Sequence, residues 1–124
     1  MPPQTRQLGA MRGQRALTGL LLQTDVMLLP SHYEGLPLSI LEAQRLGVVV
    51  LATDVGAMRE AIEDNVNGFV VAEEDGEAAF VQRILALNED RALLRRVSET
   101  ASATARDWAT STAPLLEWLT MKWG

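Results

Sequence analysis

The chain has 124 residues, 48% hydrophobic and 22% charged, with a formal net charge of −5 at pH 7. That is enough apolar material for one packed globule, and the acidic balance, with Lys122 the sole lysine, argues against a nucleic-acid surface, which needs clustered cations. Zero cysteines and one histidine exclude a disulfide framework, a thiolate metal site and a histidine cluster, and no apolar run reaches the length of a membrane-spanning helix. In chain order, residues 1–14 read as an irregular or displaced segment. Arg6, Arg12 and Arg15 precede the first acid, Asp25, as in a transit peptide, but serine is scarce and the stretch runs on into a helix over Arg15–Gln23. A strand follows at Val26–Leu29, then a helix over Leu38–Leu46, with Pro37 suited to its first position and Gly47 to its end. A strand at Val48–Ala52, a short helix at Met58–Glu63 and a strand at Gly68–Val71 complete the alternation, with Asn65 and Asn67 read as turn residues.

This alternation predicts an α/β fold, a partial Rossmann-like domain with three α/β/α layers and a parallel sheet of three or four strands. Each strand is almost wholly apolar, as burial on both faces requires. Asp75-Gly76 opens a region of C-terminal helices over residues 77–124. Val81, Ile84 and Leu85 are expected to form one packing face, and Leu93, Leu94, Val97 and Ala101 another. A last helix is expected from Pro114 to Lys122. Trp108, Trp118 and Trp123 suit packing better than a sugar-stacking platform. The whole of 1–124 reads as one partial domain.

The junction from Pro30 to Ala43 carries the chemistry. A helix entered directly from a buried strand presents unpaired N–H groups and the positive end of its dipole to an anion, so Leu38 and Ser39 are candidate phosphate donors. Glu34 and Glu42, with seven residues between them and Gly35-Leu36-Pro37 in the interval, resemble the donor-sugar motif of retaining glycosyltransferases with the GT-B fold. The order continues through Gly47–Ala57, Glu60 and Asn67–Val71, so that the resemblance runs from about Leu8 to the C-terminus. Two positions depart from it, Val49 for a usual proline and Ala57 for a usual glycine. The first restores a ladder donor; the second restricts a loop that in the family approaches the donor.

The resemblance implies a nucleotide-sugar donor site in which Glu34 contacts sugar hydroxyls and serves as the candidate catalytic residue. Glu42 would bind the ribose, while Gly35, Leu36, Leu38 and Ser39 would line the donor. The implied activity is transfer of a glycosyl group from a nucleoside diphosphate sugar to an acceptor, without metal or cofactor, and the lack of cysteines is compatible with the cytoplasmic location expected for the chain. It also implies a missing first half of the domain, carrying the cations that usually neutralise the diphosphate. Arg59 is the one nearby substitute, weighed against a solvated surface role. His32 reads as a turn residue, and Asp54 as either a hydroxyl ligand or a turn former. The alternative is a non-catalytic interaction or structural module that self-associates through the open edge of Val26–Leu29. A sugar epimerase of the same architecture fits the glutamate spacing less well.

Overall fold

A computed structural model describes residues 5–9, 13–30, 38–56 and 58–105, with the backbone alone at Gln14, Leu38 and Ser39. The elements are α1 (Gln14–Leu22), β1 (Val26–Leu29), α2 (Leu38–Arg45), β2 (Val49–Thr53), α3 (Met58–Ala61), β3 (Phe69–Val71), a 3₁₀ turn at Glu73–Asp75 and α4 (Gly76–Glu89). A further helix, α5, covers 91–105. The fold is α/β, as the alternation predicts.

The three strands form a parallel sheet in the order β1-β2-β3. Val26 aligns with Val49 and Leu29 with Ala52, while Leu51 aligns with Phe69 and Thr53 with Val71. Every residue of β2 and β3 is buried, and β1 is only partly covered, with Leu28 45% exposed. The apolar runs are therefore two-sided in the centre and at β3 alone.

Side-chain alternation sorts the core into two layers. On one face Val48, Val50, Ala52 and Val70 meet Leu21 of α1, Ile40 and Ala43 of α2, and Met58 and Ala61 of α3. On the other, Val49, Leu51, Phe69 and Val71 meet Leu87 of α4 and Val97 of α5, with Phe80, Ile84, Leu93 and Leu94 packed around them. Burying one such side chain contributes roughly 1.5–3 kcal/mol.

The expected α5 face is present: Val97 and Ala101 are buried, and Leu93 and Leu94 are half-buried. The expected α4 face is corrected. Val81 and Leu85 are 54% and 56% exposed, and the core stripe is Phe80, Ile84 and Leu87. Those three follow the i, i+4, i+7 spacing of one helix face, whereas Val81 and Leu85 lie about 100° away around the axis. The last predicted helix, Pro114–Lys122, and the three tryptophans lie outside the described residues.

The turn from α2 into β2 is fixed by its own backbone. Gly47 has φ 80, its N–H donates to the Gln44 carbonyl at 2.9 Å, and the Val48 N–H donates to the Ala43 carbonyl at 2.9 Å. This is a Schellman stop, in which glycine takes the left-handed position without a Cβ penalty. The Ser98 hydroxyl donates to the Gly47 carbonyl and so ties α5, from the opposite layer, to the same turn.

Phe69 is fully buried, and the Arg83 guanidinium sits 5.0 Å from its ring centroid. Phe69→Ala should therefore lose about 3–5 kcal/mol, enough to bring a small domain close to unfolding. Val81→Ala should stay within about 0.5 kcal/mol. Urea unfolding followed by circular dichroism checks both; equal effects would refute this assignment of the α4 face.

Candidate functional site

All three strands point their carboxyl ends the same way, and in open parallel sheets that is the end at which ligands bind. Pro30 follows β1, Thr53 closes β2 and Ala72 follows β3. These three, with Glu73, Gly76, Glu77 and Phe80, line a cleft of about 350 Å³ between the sheet end and the start of α4.

Among the described residues, Glu73 and Glu77 are the charged groups that line this cleft. Carboxylates of this kind accept from neutral hydroxyls in charge-assisted bonds. Helix α2 lies on the other face of the sheet. It starts there at Leu38, antiparallel to the strands, so its N-terminus also sits at the carboxyl end.

Of the predicted site residues, Glu34, Gly35 and Leu36 lie outside the described residues, as do His32 and Ala57. Leu38 and Ser39 are the first two helical positions of α2. Glu42 is half-buried and stands fifth in that helix. No acidic residue falls in the first turn of α2, so a mere dipole role for Glu42 loses force, since that effect fades beyond the first turn.

Asp54 is engaged through both its backbone and its side chain. Its N–H extends the ladder to the Val71 carbonyl at 2.8 Å, and its Oδ2 accepts from Arg59 Nε at 3.0 Å and Nη2 at 2.9 Å. The hydrogen bond to Asp54, and then its charge, raise the Arg59 pKa above the ordinary arginine value. Arg59 thus stands exposed but anchored just past β2. The adjoining Gly56 has φ 56, in the left-handed region.

The residue that sequence reasoning passed over is Gln44, only 2% exposed. Its Nε2 donates to the Ala61 carbonyl at 3.1 Å and the Asn67 carbonyl at 3.4 Å. Asn67, itself buried, donates to the Ala61 carbonyl at 3.3 Å and accepts the Glu63 N–H at 2.8 Å. Asn65 has φ 66, so both asparagines build the turn assigned to them. The signal for Gln44 is its place four residues after Ile40, on the buried stripe of α2.

Residues 3–104 match the family described as glycosyl transferases group 1. The chain belongs to this family. It is 34% identical over 119 residues to the D-inositol 3-phosphate glycosyltransferase of Saccharomonospora viridis, an alignment that takes in 94% of this chain and 26% of that protein. It is 29% identical over 77 residues to the UDP-Gal:alpha-D-GlcNAc-diphosphoundecaprenol alpha-1,3-galactosyltransferase of Escherichia coli, covering 62% of this chain and 20% of that one. The chain therefore spans about a fifth to a quarter of the length of these relatives.

Among solved structures it resembles Anabaena Alr3699/HepE in complex with UDP-glucose, with a TM-score of 0.69 and 26% identity over 82% of this chain and 29% of that one. The C-terminal domain of a group 1 family glycosyl transferase, LpcC, from Francisella tularensis gives a TM-score of 0.70 at 24% identity. That likeness of fold covers 86% of this chain and 52% of that domain. The structural neighbours are GT-B glycosyltransferases, as the glutamate motif implied.

The Arg59–Asp54 pair is exposed, and such pairs contribute little to stability. Asp54→Asn should leave the melting temperature almost unmoved while releasing Arg59. Faster solvent exchange of the Arg59 Nε–H, read by NMR, is the expected sign; an unchanged rate would mean that Asp54 does not hold it.

Proposed function

We propose that the carboxyl end of the sheet is a donor half-site for a nucleoside diphosphate sugar. In this reading Glu34 contacts the sugar hydroxyls, and Glu42 accepts from the ribose. Gly35 and Leu36 line the sugar, and the first N–H groups of α2, at Leu38 and Ser39, face the diphosphate. The activity served is transfer of a glycosyl group to an acceptor, with the chain supplying part of the donor site in a cytoplasmic protein.

The observation that carries the reading is the junction itself, a helix that opens at Leu38 beyond the carboxyl end of β1 and has Glu42 one turn inside it. Membership of the group 1 glycosyltransferases gives that junction its chemistry, and the likeness to a structure holding UDP-glucose gives the ligand class. Catalysis in such a site rests on positioning and electrostatic stabilisation of the departing diphosphate. Arg59 is the described cation nearest in sequence to the end of β2, and Asp54 already shares its charge.

A second reading, self-association through β1, is favoured by one feature. Among the described residues β1 pairs on one side only, and Leu28 on it is 45% exposed. Unprotected edges of this kind recruit strands.

Ligand-observed NMR titration of the chain with uridine, guanosine and adenosine diphosphate sugars tests the donor reading. Glu42→Ala should abolish or strongly weaken binding while the thermal transition stays nearly unchanged; absence of binding to the unmodified chain would refute a working half-site. For the second reading, sedimentation at rising concentration should show a dimer, and a monomer throughout would sink it.

A further inference from the structure

Helix α2 has only eight residues and carries the proposed ribose ligand, so something must fix its rotation about its own axis. Apolar packing through Ile40 and Ala43, both fully buried, presses it onto the sheet, but such contacts are non-directional and tolerate small rolls and slides. Directional bonds do not. From the buried face of α2, the Gln44 amide reaches carbonyls 17 and 23 residues away in the chain, on Ala61 at the end of α3 and on Asn67 in the turn before β3.

Those acceptors are themselves held. Asn67 binds Ala61 and Glu63 through its side chain, the Asn65 N–H donates to the Gly68 carbonyl at 2.8 Å, and Asp64 Oδ1 accepts the Val70 N–H at 3.1 Å. The turn over residues 63–68 is thus bolted to β3, and Gln44 bolts α2 to the turn.

Two residues along a helix correspond to about 200° of rotation, so a Gln44 pinned inward turns Glu42 outward. From this we infer that Gln44 is a positioning residue, whose buried amide sets the rotation of α2 and hence the direction in which Glu42 faces the donor. The inference rests on the donor reading for its functional consequence, but not for the positioning itself.

The test compares Gln44→Met, which keeps the volume and removes the directional bonds, with Leu87→Ala, which loosens the opposite layer. UDP-glucose is the probe, and amide exchange is followed by NMR on the same samples. Gln44→Met should unfold cooperatively, exchange faster in α2 and over residues 63–68 relative to α4, and bind UDP-glucose about tenfold more weakly, the scale of removing support from behind a binding group. Leu87→Ala, where folded, should bind as the unmodified chain does. Gln44→Met affinity within about twofold of the unmodified chain, or the same loss in both variants, would overturn the inference. Should the unmodified chain bind no UDP-glucose, the donor reading fails there and the exchange data alone decide: selective loosening of α2 supports the positioning role, and uniform or absent loosening refutes it.

Discussion

Everything else in this fold hangs on the parallel pairing of β2 with its two neighbours. A strand buried from Val49 to Thr53 has no water to satisfy its peptide groups, so its ladder bonds must be made by β1 and β3. Once they are made, the pleat assigns alternate side chains to opposite faces, and two helical layers follow, one gathered on Val50 and Ala52 and one on Val49 and Leu51. Parallel pairing also brings the three carboxyl ends to one side. The cleft, the Asp54–Arg59 pair and the start of α2 share an end of the molecule for that reason.

Within this frame the polar groups divide by face. The cleft near α4 carries the carboxylates of Glu73 and Glu77, whereas the α2 side carries a helix N-terminus and the Arg59–Asp54 ion pair.

Much of this was legible in the residues. The apolar run Val26–Leu29 and the Pro37 and Gly47 punctuation around α2 give the elements within a residue or so of where they lie. The glutamate spacing gives the family, which the match over residues 3–104 bears out. The α4 face was misread because Val81 and Leu85 are as apolar as Phe80 and Leu87, and a helix with apolar residues around much of its circumference has no unique inward side until its neighbours choose one. Gln44 was passed over for a related reason. Its partners are backbone carbonyls, which leave no mark in a sequence, and only its register with Ile40 betrays burial.

The turn at Gly47 has a wider meaning. At the amino end of the sheet, a left-handed glycine, two backbone bonds and the Ser98 hydroxyl tie both helical layers to the entry of the central strand, so that little there can be exchanged without altering the framework. At the opposite end, the Asp54 N–H extends the ladder to the Val71 carbonyl just past β2. A substitution at the Gly47 turn therefore disturbs both helical layers at once, and the entry of the central strand is the place where this framework tolerates change least.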